Sequence, residues 1–193
     1  MGRPSPPDPA LLFIGTLYHN EGYFSEARER LKSSLGEIAF ESPALPWDYS
    51  EYYKEEQGSP LTRTFIFFGD MINPEALANV KLFTNDLELR LSAEGKRNIN
   101  LDPGYLTPYH IVLASTKNYA HRIYLGKGIY AEVTLIHRDG RYCPHLFTYR
   151  DYASDEYIQL FERARILLKD RTQTSDSLEH LRLLYPRGEG FKG

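Results

Sequence analysis

The first apolar run, Leu11 to Tyr18, has no helical period and predicts a buried central strand. Phe24, Ala27, Leu31 and Leu35 then recur at spacings of three and four with charges between them. That is the apolar stripe of an amphipathic helix, and Gly36 is its natural stop. Strands are expected over about 37–41 and 61–68. The stretch 42–60 between them is rich in proline, tyrosine and acid, and long for a connection, which points to function. Asn73-Pro74-Glu75 reads as a helix cap followed by proline in the first turn. The helix it opens runs to about Ala93, with Ala76, Val80, Phe83, Leu87 and Leu91 as its buried stripe. Lys81, Asn85 and Glu88 share another face of it.

Beyond Gly95 the pattern turns to alternation. His110–Lys117, His121–Leu125 and Ile129–His137 read as strands, with hairpin turns at Gly126-Lys127-Gly128 and Asp139-Gly140. Residues 110–147 therefore predict a meander. A last helix starts near Ser154, with Tyr157, Leu160, Phe161, Ala164 and Leu167 on its apolar side, and a short helix is expected over 175–184. The fold expected is α+β: a ferredoxin-like β-α-β-β-α-β antiparallel sheet, extended by a C-terminal β-meander and a terminal helix. Right-handed crossovers put both early helices on one face. Four prolines in residues 1–10 predict a disordered tail, 11–185 a single domain, and the glycines of 186–193 a loose end.

Composition narrows the function classes. The 193 residues carry 23 basic and 26 acidic side chains, a formal net charge of −3, which argues against a bulk nucleic-acid binder. No apolar stretch reaches the length of a membrane span, and MGRPSPPDPA has no apolar leader core, so a cytoplasmic protein is expected. Cys143 is the single cysteine, which excludes an internal disulfide and a cysteine-rich zinc site. Fifteen tyrosines suit either half-buried sheet faces or a tyrosine-lined groove.

Motif tests remove some chemistry. A P-loop needs a glycine five residues before the Gly of its Gly-Lys pair and Ser or Thr after the Lys. Around Gly126-Lys127 those positions hold His121 and Gly128, and the match fails. The six histidines show no paired ligand spacing, so no metal site is expected, and no cofactor is indicated.

The 121–135 hairpin is more informative. A three-residue turn sets Ile123 opposite Ala131, Leu125 opposite Ile129, and Arg122 opposite Glu132. One face, His121, Ile123, Leu125, Ile129, Ala131, Val133 and Leu135, reads as core. The other carries Arg122, Tyr124, Tyr130, Glu132 and Thr134. Arg122 and Glu132 are then either a cross-strand ion pair or an arginine held ready for an anion. His121 and Arg122 point to opposite faces of a regular strand, so a shared pocket requires an irregularity near 119–121. Asp102-Pro103-Gly104-Tyr105 is a turn by its chemistry, flanked by the polar group Lys96, Arg97, Asn98 and Asn100.

Several ordered strings carry a resemblance. They are Asp48-Tyr49…Tyr52-Tyr53…Gly58, Lys81-Leu82-Phe83-Thr84-Asn85, Asn100-Leu101-Asp102-Pro103-Gly104-Tyr105-Leu106, Lys117…His121-Arg122-Ile123-Tyr124-Leu125 and Gly128-Ile129-Tyr130-Ala131-Glu132. Over about residues 10–170 the chain resembles domain-of-unknown-function family 4416. The resemblance implies a small prokaryotic protein and brings no mechanism. Members are sometimes labelled GTP-binding, a label the failed P-loop test does not support. Gln57 and Phe147-Thr148-Tyr149-Arg150 depart from the family pattern, away from the charged candidates.

The residues themselves predict binding of an anionic small molecule such as a nucleotide or phosphate compound, and leave open whether the chain acts on it. Arg63, Lys81, Arg97, Lys117 and Arg122 supply charge, with Tyr124 beside them. Asp102, Glu132 and His121 are the acid/base candidates. The rival readings are an RNA-binding module with bases stacked on a tyrosine-rich sheet, and a non-catalytic assembly protein that forms homo-oligomers.

Overall fold

The computed structural model describes residues 2–50, 59–93 and 95–173. Strand β1 (Ala10–Tyr18) is buried along its whole length, as its apolar run requires. Helix α1 (Glu21–Leu35) is capped by the Asn20 side chain, which accepts from the Gly22 N–H at 2.8 Å. Strands β2 (Ile38–Glu41) and β3 (Leu45–Trp47) both pair with the long β4 (Leu61–Ile72). A 3₁₀ turn at Pro74–Ala76, capped by Asn73, leads into α2 (Leu77–Arg90). Then come β5 (Ile99–Leu106), β6 (His110–Ser115), β7 (Ile123–Gly126), β8 (Ile129–Arg138), β9 (Arg141–Cys143) and α3 (Asp155–Gln173). The Ser154 hydroxyl accepts from the Tyr157 N–H at 3.3 Å and so caps α3. The helix expected over 175–184 and the tail from 186 lie outside the described residues. No described helix is long and apolar enough to cross a membrane.

Among the described residues the architecture is α+β, with one large antiparallel sheet and three α-helices. The sheet departs from the expected extension in two ways. It has nine strands, in the order β2-β4-β1-β5-β6-β8-β7, with β3 on β4 and β9 on β8. The C-terminal strands are also not a sequential meander, because β8 lies between β6 and β7. The ten residues of β8 bury Ile129, Glu132, Thr134 and Leu135, so β8 takes the inner place. The four-residue β7 is largely exposed and goes to the edge, where short strands are tolerated.

Helices α1 and α2 cover one face. Phe24, Ala27 and Leu31 of α1, and Val80 and Leu87 of α2, share a cluster with Leu12 and Ile14 of β1. Helix α3 covers the other face, where Phe161 sits with ring centroids 5.1 Å from Phe13 and 5.2 Å from Phe65. Edge-to-face rings at such spacings add to the area they bury.

The sheet parts between β5 and β6. Strand β5 pairs with β1 from Ile99 to Leu106, and β6 pairs with β8 from His110 to Ser115. The two pair with each other only at Gly104↔Leu113, Tyr105↔Val112 and Leu106↔Ile111. One step further, Pro103 would stand opposite Ala114, and proline has no N–H to give the Ala114 carbonyl. At the last pair, Gly104 is required, because a Cβ there would lie 2.5 Å from the Val112 carbonyl oxygen and 2.5 Å from the Phe13 ring. The Asp102–Tyr105 string is thus strand rather than turn, and its Pro-Gly step ends a ladder.

The hairpin keeps the expected register at Ile123↔Ala131 and Tyr124↔Tyr130, by a different route. Its loop is two residues, Lys127-Gly128, both at positive φ, and a register shift before Gly126 restores the parity. Its faces do not divide into core and solvent as expected. Glu132 and Thr134 of the expected outer face are buried along with Ile129 and Leu135, whereas Ile123 is 72% exposed and Leu125 and Val133 are also open. Helix α2 covers Val112, Ala114 and Ile129 through Leu77 and Ala78. It ends short of β7, so that strand's apolar side chains find no cover.

Candidate functional site

The parted sheet leaves a cavity of about 560 Å³. One wall is β5 with α2, bringing Lys81, Asn85, Glu88, Arg97, Asn100 and Asp102. The other is β6 with β8 and the segment after it, bringing Ala114, Ser115, Thr116, Lys117 and Glu132. Arg63 of β4, Trp47 of β3, and Tyr149, Arg150, Asp151 and Tyr152 close it from the α3 side.

Helix α2 lends two charged side chains to the backbone that the split exposes. Residues 81 and 88 are seven apart and share a face. Lys81 Nζ donates to the Leu101 carbonyl at 2.9 Å, and Glu88 Oε1 accepts from the Leu101 N–H at 2.7 Å. Both groups of Leu101 therefore point into the gap, and side chains replace the missing strand. Burial raises the Glu88 pKa, against the lowering effects of Lys81, the Leu101 N–H and Arg97.

Asp102 stands between two buried cations. Its Oδ2 lies 3.4 Å from an Arg63 guanidinium nitrogen, and its Oδ1 lies 3.8 Å from Lys81 Nζ. Its short contact is with the Asn100 amide, at 2.6 Å. Arg63 reaches Asp151 Oδ2 at 3.2 Å, and Trp47 Nε1 donates to that same oxygen at 3.0 Å. Burial works against the Arg63 charge, but Tyr152, Asp151 and Asp102 more than offset it, and its pKa is raised. Gly15 makes room for this cluster, since a Cβ there would lie 3.0 Å from the Tyr152 hydroxyl and 3.3 Å from Arg63. Burial drives the Tyr152 pKa well above its ordinary value. At the rim, Arg97 bridges Glu88 at 3.4 Å and Asn100 at 3.3 Å.

Glu132 is held differently. Its Oε2 takes Arg122 Nε at 2.7 Å and His121 Nε2 at 3.0 Å. His121 can reach it because residues 119–122 form a turn, with the Arg122 N–H donating to the Tyr119 carbonyl at 3.0 Å. The irregularity expected there is present, and β7 begins only at Ile123. The His121 ring stacks on Phe147 with centroids 4.5 Å apart. Arg122 also donates to the Lys117 carbonyl at 2.8 Å and to the Tyr149 hydroxyl. Its fork is thus occupied by protein groups and holds two residues of the cavity wall.

Six of the nine candidate residues line the cavity: Arg63, Lys81, Arg97, Asp102, Lys117 and Glu132. His121 and Arg122 stand behind Glu132 and do not line it. Tyr124 lies apart, against Tyr130 on the hairpin, with its hydroxyl accepting from the Gly128 N–H at 3.2 Å. Sequence reasoning missed Glu88, Asn100, Asp151 and Tyr152 as site residues. Glu88 had a signal, its shared face with Lys81 and Asn85. Asp151 and Tyr152 had none, since no period runs through the loop that carries them. Among the described residues, no group of three or more His, Cys, Asp or Glu side chains is placed to hold a metal ion.

No curated protein and no solved structure matches the chain significantly. The ordered strings around Lys81, Asn100 and His121 pointed to one family, and both walls of the cavity fall within the span that its model covers. That model, described as a domain of unknown function (DUF4416), matches residues 8–167, and the chain belongs to this family.

Proposed function

We propose that the chain binds an anionic small molecule, a nucleotide or another phosphate compound, in the β5–β6 cleft. One observation carries this reading: the ion network of the cavity is buried yet loose. Arg63 and Lys81 are only 4% and 6% exposed. Their contacts with Asp102, Asp151 and Glu88 run from 3.2 to 3.9 Å, where a well-made charged hydrogen bond is near 2.8 Å. A buried ion network contributes less stability than apolar packing would, and a slack one still less. Set in the wall of a large cavity, it reads as a ligand site. Lys81 and Arg63 supply the charge, Asp102 is the carboxylate that faces the ligand, and Glu132, His121 and Arg122 hold the wall.

Calorimetric titration of the chain with inorganic phosphate, pyrophosphate and AMP tests the reading. Binding of any of the three, weakened at least tenfold by Lys81→Met, supports it. No heat from any of them, or binding that Lys81→Met leaves unchanged, overturns it. The RNA reading asks for several exposed rings side by side on a sheet face, and it has less support, because the strand tyrosines Tyr18 and Tyr142 are buried and Tyr124 is exposed at the sheet's edge. Assembly keeps one observation in its favour, the open apolar side chains Ile123, Leu125 and Val133. Light scattering with Ile123→Glu tests that reading.

We also read β2-β4-β1-β5 with α1 and α2 as a ferredoxin-like unit. Its antiparallel neighbours and the two helices on one face support this.

A further inference from the structure

This inference rests on the anionic-ligand reading, with the phosphate on Arg63 and Lys81, and concerns what Asp102 does to it. We propose that Asp102 makes the site specific for a phosphate that still carries a proton. The ligand is then free phosphate or a terminal phosphate monoester, bound with its P–O–H hydrogen donated to the Asp102 carboxylate. Sulfate and phosphate diesters have no such hydrogen and are rejected.

Asp102 lies where the phosphate must come. Its Oδ2 is 3.4 Å from an Arg63 guanidinium nitrogen and its Oδ1 is 3.8 Å from Lys81 Nζ, so a group that reaches both cations also meets this carboxylate. The surroundings already hold further negative charge. Asp151 faces Arg63 at 3.2 Å, and Glu88 faces Lys81 at 3.9 Å. A fully ionised phosphate oxygen set against Asp102 is repelled, and a buried pair is little screened. One hydrogen between the two oxygens turns that repulsion into a charge-assisted hydrogen bond.

Asp102 has room to accept it. Its Oδ2 takes the Asn100 amide at 2.6 Å and Arg63 at 3.4 Å. Its Oδ1 has Lys81 at 3.8 Å, beyond hydrogen-bond reach, and accepts no hydrogen bond among the described residues. The side chain is partly exposed and lines the cavity.

Donors for the other phosphate oxygens stand beside it. Lys81 Nζ gives one hydrogen to the Leu101 carbonyl at 2.9 Å, and an ammonium carries three. Arg63 Nε and the Tyr152 hydroxyl are buried and have no hydrogen-bond partner among the described residues. Both residues line the cavity, and they meet over Gly15. Burial keeps the proton on the Tyr152 hydroxyl, so it is a donor towards an anion. Buried polar groups are nearly always satisfied, so these donors call for guest oxygens. Donors for several oxygens and one acceptor for a hydrogen are the complement of a phosphate monoanion. Sulfate has the same shape but leaves Asp102 facing a bare oxygen. A diester matches the charge of the monoanion and lacks the hydrogen. A site built to bond a hydroxyl rejects the analogue without it. The ester group leads outward to the cavity mouth, where the exposed Lys117, Tyr149 and Arg150 line the opening.

Calorimetry on the full chain tests this at about pH 6, near the second ionisation of a phosphate monoester. Three pairs are compared: inorganic phosphate with sulfate, methyl phosphate with dimethyl phosphate, and AMP with cyclic AMP. In each pair that shows binding, the first member should bind at least tenfold more tightly than the second. A smaller ratio in any such pair overturns the inference and leaves the anionic-ligand reading standing. A monoester ahead of inorganic phosphate indicates an ester as the ligand, and the reverse order free phosphate. Asp102→Asn should weaken the first members and admit the second, cutting each ratio to threefold or less, because an amide has no charge to repel them and can donate. A ratio that stays above threefold in this variant takes the discrimination away from Asp102 and overturns the inference. If none of the six binds, the inference falls, and the anionic-ligand reading falls with it unless pyrophosphate binds.

Discussion

Asp102 and Glu132 are both carboxylates set between two nitrogen-bearing side chains, and they are built in opposite ways. The Glu132 side chain is 1% exposed, and one of its oxygens takes Arg122 at 2.7 Å and His121 at 3.0 Å. The Asp102 side chain is 30% exposed, and its cations stand off at 3.4 and 3.8 Å. The first arrangement ties a loop to a strand: Arg122 carries the charge of Glu132 on to the Lys117 backbone and the Tyr149 hydroxyl. The second leaves hydrogen-bonding capacity unspent beside a cavity. On the proposed function, the same residue types serve architecture where geometry is tight and dry, and recognition where it is slack and open to the cavity. Distance and burial, not residue type, separate the two.

The sharpest way to break this comparison is to remove Glu132. Glu132→Ala leaves the Arg122 and His121 side chains buried against an empty place. Stripping one partner from a buried pair costs about 3–5 kcal/mol. Urea denaturation should show a loss of that size; a loss below about 1 kcal/mol would mean that the cluster does not hold the wall. Arg122→Ala comes next, at about 1.5–3 kcal/mol for hydrogen bonds to a charged group. Because Lys117 and Tyr149 lose their anchor, it should also weaken phosphate binding. A variant that binds phosphate normally after losing that much stability would show that Arg122 does not position the mouth.

Asp102→Asn should have the reverse profile. The amide keeps an acceptor for Asn100, the ion contacts it gives up are long, and Arg63 retains Asp151. A stability change within about 1 kcal/mol is expected, as for a solvent-screened pair. Ligand affinity should fall at the same time. A drop of several kcal/mol in the denaturation midpoint, with affinity intact, would put Asp102 in the same structural class as Glu132.

The sequence made one of these two regions more legible than the other. The Arg122–Glu132 pairing follows from strand alternation once a hairpin is recognised, and it is present in the structure. Which face it lay on did not follow. Alternation showed Ile123, Leu125 and Val133 as core because apolar residues shared a parity, yet core is decided by what covers a face, and α2 stops before β7. Strand order had the same blind spot, since adjacency in sequence suggested a meander while burial put β8 inside. The Asp102 region was legible only as a list of polar residues. Lys81 and Glu88 read only as sharing a helix face, because nothing local says that a sheet will part opposite them. Pro103 causes the parting, but it acts only through a partner strand, and the Asp-Pro-Gly string around it has the chemistry of a turn. Asp151 reaches the site through Arg63 and Trp47, 88 and 104 residues away in sequence, a relation no spacing rule contains.

Glu88 sharpens the comparison by the smallest effect, one visible only in pH. Burial raises its pKa, and Lys81, the Leu101 N–H and Arg97 cancel part of that rise. The folded chain therefore holds the Glu88 proton to higher pH than the unfolded chain does, where an ordinary glutamate releases it near about 4.3. In the window upward from that value the folded state binds more protons, so the Glu88 contribution to stability is full below it and is lost as pH rises through the folded pKa. Glu88→Gln keeps an oxygen for the Leu101 N–H and has nothing to ionise. The variant should gain on the parent as pH is raised from 4 towards neutrality, then level off once the parent's Glu88 is fully ionised. Urea midpoints for the two proteins at a series of pH values read the difference directly. A difference that is flat, or that shrinks with rising pH, would mean that Lys81 and Arg97 already match the Glu88 charge in full. The network around Asp102 would then be as complete as the one around Glu132, and the distinction between slack and tight carboxylates would not hold.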